Sequence, residues 1–195
     1  MKTLTFFLFF GVIIAMPVLA QEEETLIRGT VESGGFGGPV VKFTEINDSF
    51  GVLVGGRGGW IINHTFVIGG GGYGLANEVK VGDFRSMSDF LNFGYGGLEL
   101  EYLIAHRKLI HFSVQALIGA GGVSFRDRHF NQIDGPDDAF FIAEPGVNVI
   151  LNVTKSFRMG FGGSYRFIGG AERAQISDSS LSGPTALLTF MFGKF

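Results

Sequence analysis

The chain has 195 residues, 46% of them hydrophobic and only 17% charged, with 32 glycines, 22 phenylalanines and a net charge of −3. So much apolar residue with so little charge is unusual for a water-soluble domain, and a mildly acidic chain without a basic block disfavours a nucleic-acid partner. With no cysteine anywhere, a disulfide framework, a thiolate metal site and a lipidated N-terminal cysteine are excluded.

In chain order, the first twenty residues read as a secretory signal: Lys2 is the positive start, Leu4 to Ala15 the apolar stretch and Val18-Leu19-Ala20 the small-residue cleavage site. No later stretch offers about 18 uninterrupted apolar residues, so a helical membrane protein is not expected. Gln21 to Ser33, with Glu22, Glu23 and Glu24, reads as a solvated periplasmic lead-in, and a single barrel domain is expected over 34–195.

Eight strand-like segments follow, separated by turn chemistry. They are Gly35 to Thr44, Phe50 to Ile62, Phe66 to Leu75, Leu91 to Ile104, Leu109 to Val123, Phe140 to Leu151, Phe157 to Phe167 and Pro184 to Phe195. Each approaches or exceeds the roughly 9–11 residues that a tilted strand needs to cross a bilayer. Glu45 to Ser49 is short, but Ala76 to Phe90, Ser124 to Ala139 and Ile168 to Gly183 are long connections, whereas Asn63 to Thr65, Ala105 to Lys108 and Asn152 to Ser156 are tight. Long and tight connections alternate, which sorts them to opposite ends of an up-and-down barrel; a Greek-key sandwich has no reason to do so.

Alternation along the segments supports the same fold. In the seventh, Phe157, Met159, Phe161, Tyr165 and Phe167 share one face, and Arg158, Gly160, Gly162, Ser164 and Arg166 the other. In the fifth, Ile110, Phe112, Val114, Ala116 and Ile118 oppose His111, Ser113 and Gln115. Apolar outside and polar or small inside is the membrane-barrel pattern. Leu91, Phe93 and Tyr95 occupy the other parity from Leu98, Leu100 and Tyr102, so a bulge is expected near Gly96-Gly97. Aromatic residues read as two girdles, with Trp60, Phe66, Tyr102, Phe112 and Phe157 by the tight turns and Phe50, Tyr73, Tyr95, Phe141 and Phe167 towards the long loops. The fold class is therefore all-β, an eight-stranded antiparallel up-and-down transmembrane β-barrel.

From about Gly35 to Phe195 the chain resembles, in architecture, the small eight-stranded outer-membrane barrels, the group of the OmpA transmembrane domain and the OmpX and OmpW types. The terminal Phe195 behind an alternating strand is similar to the signal by which such proteins are recognised for outer-membrane assembly. The resemblance implies outer-membrane lipid and the barrel assembly machinery as partners. That signal favours apolar residues two, four and six places before the end. Here Gly193, Met191 and Thr189 stand there, with Phe192 and Phe190 on the other parity, which leaves the register of the last strand open.

With these faces, the interior receives Lys42, Arg57, Glu99, Glu101, His111, Gln115, Glu144, Arg158 and Arg166. Glu99 and Glu101 are expected across from Ser113 and Gln115 or from His111 and Ser113, and Glu144 opposite or diagonal to Arg166. Such charges must pair, since an isolated buried charge costs several kcal/mol, and the leading expectation is an ion-paired, closed interior. Inward Gly119, Gly121, Gly160 and Gly162 leave room for the alternative, a narrow channel or carrier for a small or apolar molecule. His111 and Ser113 with Glu101 could form a base, nucleophile and orienter, similar to the His-x-Ser arrangement of outer-membrane lipid A deacylases; they sit beside a tight turn, away from the outer leaflet that holds lipid A. Asp134, Asp137 and Asp138 lack the spacing of a calcium loop, and Gly69 to Gly72 lack the helix and Lys-Ser/Thr of a phosphate loop. The sequence-based expectation is thus a non-enzymatic barrel without cofactor or metal, with external loops, Ser124 to Ala139 above all, open to an extracellular ligand. No wall-anchoring domain is expected beyond Phe195.

Overall fold

The computed structural model describes residues 31–79, 90–126, 138–171 and 177–195. The signal segment, most of the lead-in, Asp134 and Asp137 lie outside them. Eight strands, β1 (Ser33–Ile46), β2 (Ser49–Ile62), β3 (Phe66–Leu75), β4 (Phe90–Ile104), β5 (Ile110–Arg126), β6 (Asp138–Asn152), β7 (Phe157–Gly169) and β8 (Gly183–Lys194), form a closed barrel in sequence order. Every pairing is antiparallel, and β8 returns to β1 with Gly35 opposite Lys194 and Thr44 opposite Thr185. All eight expected segments are strands. A one-turn helix, α1 (Asp178–Leu181), was not foreseen; Ser177 caps it through its side chain, and Asp178 accepts from the amides of Gly170 and Ala171.

The connections fall at two ends. The turn end carries 63–65, 105–109 and 153–156; the loop end carries 47–48 and the three long connections. Asn47 and Asp48 have φ of 50° and 56°, and Asn63 and His64 of 49° and 54°. Positive φ at both central residues is the turn geometry that matches strand twist, and Asn and Asp tolerate it.

The wall is apolar all the way round on its outside. Val54, Ile68, Leu98, Val114, Val147 and Phe161 are each 44–60% exposed, a continuous apolar surface that a soluble monomer does not present. Phe50, Trp60, Tyr102, Phe141 and Phe167 also point outward, as the girdles require.

Two expectations fail, for one reason. Pairing of β4 with β5 runs unbroken from Phe90↔Arg126 to Ile104↔Phe112, so there is no bulge at Gly96-Gly97. Leu91, Phe93 and Tyr95 instead face inward with Glu99 and Glu101, and Tyr73 and Tyr95 belong to the interior rather than to a girdle. The interior near the loop end is itself apolar, built by Ile46, Leu53, Leu91, Phe93, Leu117, Phe140 and Ile142 among others. An apolar residue there says nothing about which side faces lipid.

Candidate functional site: the polar belt inside the barrel

Seen along its axis, the interior has three layers. The apolar cluster just described fills the loop end, and Phe36, Ile61, Val67, Leu103, Ile150 and Met191, with Phe195 packed on them, fill the turn end. Between these lies a belt of charge in which Lys42, Glu99, Glu101 and Glu144 are each at most 4% exposed. Strand alternation puts them there: each is on the inward parity of its strand, at about mid-height.

The belt is a connected circuit. Lys42 Nζ on β1 donates to both carboxylate oxygens of Glu144 on β6 at 2.9 Å, reaching across the lumen. Glu144 also accepts from the hydroxyls of Tyr95 at 2.7 Å and Ser164 at 2.6 Å. The Lys42 ammonium stands 3.6 Å from the centre of the Tyr73 ring, and the Tyr73 hydroxyl donates to Glu99. Arg57 on β2 then joins three partners. Its Nε is 2.6 Å from Glu99, a charge contact poorly angled for a hydrogen bond, while its Nη atoms donate to Glu101 and to Gln115, each at 2.8 Å. Asn148 closes the circuit by donating to Gln115 and Ser113, both at 3.1 Å, and so returns it to β6.

Thus the structure brings Lys42, Glu144, Arg57, Glu99, Glu101 and Gln115 together. Three expected residues stand apart. Arg166, across from Glu144 in the β6/β7 register, instead donates to the carbonyls of Leu181 at 2.7 Å and Glu45 at 3.2 Å. The lysine reaching over from β1 has taken the carboxylate, and Arg166 ties α1 to the rim. Arg158 and His111 lie at the turn end, outside the circuit. Register is a further correction: Glu101 faces Gln115, but Glu99 faces Leu117 and Ser113 faces Leu103. The first residue of β5 paired with β4 is Phe112, opposite Ile104, so the partners lie two residues further along β5 than in the nearer of the two expected registers, which leaves the faces unchanged.

Tyr73, Tyr95, Asn148 and Ser164 are the belt members that sequence reasoning did not place in it. A parity count carried from Glu99 back to Tyr95 would have found one of them. The inward glycines provide space that neighbours use rather than open lumen. A Cβ on Gly162 would strike the Asn148 side chain, one on Gly121 the Phe140 ring, and one on Gly71 the Glu99 carboxylate. Such close approach is what glycine in a strand permits.

The catalytic arrangement considered for His111, Ser113 and Glu101 is not assembled. Ser113 Oγ accepts from Asn148, Glu101 is held by Arg57, and neither ring nitrogen of His111 has a hydrogen-bond partner. Among the described residues no group of three or more His, Cys, Asp or Glu is placed to hold a metal ion.

At the last strand, Phe157↔Phe192 and Phe36↔Gly193 fix the register. Thr189, Met191 and Gly193 face inward, Phe192 outward. The Phe195 ring stacks on Phe36 at 6.1 Å and under the Arg158 guanidinium at 4.0 Å, inside the mouth.

No family model matches the sequence, and no curated protein does. Among solved structures the chain is similar to Neisserial surface protein A (NspA), with a TM-score of 0.56 and 11% identity over 86% of this chain and 100% of that one. It is also similar to Ail, the attachment invasion locus protein of Yersinia pestis, with a TM-score of 0.46 and 10% identity over 83% of this chain and 97% of that one. At such identity the likeness to NspA speaks for the fold. The chain has the fold of the small eight-stranded outer-membrane β-barrels.

Proposed function

We propose that this chain is a closed outer-membrane barrel with a structural or surface-interaction role, its loop end outside the cell and its turn end in the periplasm. The observation that carries the reading is the circuit across the lumen. The Lys42–Glu144 pair spans from β1 to β6, and the Arg57 cluster joins β2, β4 and β5 beside it. A solute passing through would have to part buried ion pairs that leave uncompensated charge behind, at a cost of several kcal/mol. What remains for contact is the loop end, and NspA, whose fold this chain shares, is named a surface protein. Outer-membrane lipid would surround the wall, and Phe195 would serve as the aromatic that the assembly machinery reads.

The chain's lack of cysteine makes the orientation directly testable. Glu78→Cys places a lone thiol at the loop end and Lys155→Cys one in the 153–156 turn, both at exposed positions. A membrane-impermeant maleimide applied to intact cells is expected to label the first and to reach the second only after lysis. The opposite pattern would reverse the orientation and remove the loop end as the contact surface.

A further inference from the structure

We propose that the turn-end mouth of the barrel is a binding site for a phosphate group, the chemistry shared by a phospholipid headgroup and free phosphate. This does not rest on the role given to the loop end. A cavity of about 700 Å³ opens there, and separate stretches of chain bring six basic side chains to it. His64 comes from the 63–65 turn, His106 and Arg107 from 105–109, Lys155 from 153–156, and Arg158 and Lys194 from the ends of β7 and β8. Among the described residues no acidic side chain is in the lining, in a chain whose net charge is −3. The composition does not explain a concentration of positive charge at one mouth.

Of this set only His64 is in an ion pair among the described residues, with Glu32, which also faces the charge of Arg107 and Lys194. Among the described residues the ion pairs are Lys42–Glu144, Arg57–Glu99, Arg57–Glu101 and His64–Glu32, and none engages Arg158, Lys155 or Lys194. Glu32, the acid at the rim, is bound to His64 at 2.6 Å. Arg158 differs from a free surface cation. It projects into the mouth from the inward face of β7 with its guanidinium carbon 4.0 Å over the centre of the Phe195 ring, and among the described residues no hydrogen bond or ion pair occupies its N–H donors. A planar arginine fork matches two oxygens of a phosphate, with lysine ammonium and imidazole N–H groups as further donors. His64 and His106, stacked at 5.6 Å, form the opposite rim.

The test uses protein refolded in a phosphate-free maltoside detergent. Inorganic phosphate is titrated while the Arg158 Nε–H and His106 imidazole resonances are followed, with chloride as control. A saturable shift is expected, and Arg158→Gln with Lys194→Gln should weaken it by about tenfold or more. Lys155→Gln, in an exposed turn where folding is not at stake, should weaken it by about threefold. Trp60 emission checks that each variant is folded. In a second arm, protein is extracted from phosphatidylglycerol vesicles and weighed intact. Lipid retained by the wild type and lost by the double variant identifies a headgroup as the source, whereas phosphate binding without retained lipid identifies the free anion. No saturable shift, a shift that chloride reproduces at the same concentration, or equal affinity in folded variants overturns the proposal.

Discussion

A lysine at position 42 is tolerable in the barrel only because of what surrounds it. Its ammonium has both Glu144 oxygens at 2.9 Å, the Tyr95 hydroxyl at 3.1 Å and the Tyr73 ring beneath it. Removing one partner of such a pair strands the other charge, typically at about 3–5 kcal/mol, whereas replacing both with apolar groups is often close to neutral. Lys42→Met should therefore lower the urea stability of the vesicle-inserted protein by about 3 kcal/mol, and adding Glu144→Leu should recover most of the loss. The single tryptophan, Trp60, on the outer wall, reports the transition. A double variant as unstable as the sum of the singles would show that the belt is not a coupled unit. At the turn end, partial burial, followed by the charge of His64, holds the His106 imidazole below its ordinary value of 6.5. A depressed imidazole pKa means that the unfolded chain takes the proton first as pH falls. This contribution is complete above 6.5 and declines as pH drops below it. His106→Gln should flatten the fall of the urea midpoint between about pH 7 and 5, and parallel profiles for variant and wild type would contradict the assignment.

Among the elements, the hairpin turns translate sequence into register most simply. The two-residue turn Asn47-Asp48 has positive φ at both positions, and glycine is the preferred second residue of that turn. Asp48→Gly should raise stability by up to about 1 kcal/mol, and Asp48→Val should lower it by a similar amount, both read from urea unfolding. The strands were legible where polarity and geometry agree. In β7, Arg158, Ser164 and Arg166 mark the inward face unambiguously against Phe161, Tyr165 and Phe167. They were misread where both faces are apolar. In β4 the inward positions change from Leu91, Phe93 and Tyr95 to Glu99 and Glu101 as the strand leaves the loop-end core and enters the belt, and a change of layer mimics a change of face. β8 was ambiguous for the same reason, since Leu187 and Met191 point in and Phe192 points out. The members of the belt could be read from alternation alone. Their partners could not, because a lysine that crosses the lumen to Glu144 is nowhere near it in sequence or in strand pairing.

At the scale of the whole molecule, the outer wall is apolar, apolar layers flank the belt of charge on both sides, and beyond the turn-end layer the mouth is basic. This inverts the usual picture of a pore, in which the polar interior is the open part. Small barrels of this strand number have an interior just wide enough for side chains to fill. Here Arg57, Lys42 and their carboxylates fill it at mid-height, with aromatic and aliphatic layers above and below. Side chains that cross from β1 to β6 and from β2 to β5 also brace the wall against flattening. The central claim, a barrel closed by its own ion pairs, is tested most directly by conductance of the purified protein in a planar lipid bilayer. The account predicts a silent membrane after verified insertion, and a reproducible unitary conductance from the wild type would contradict it.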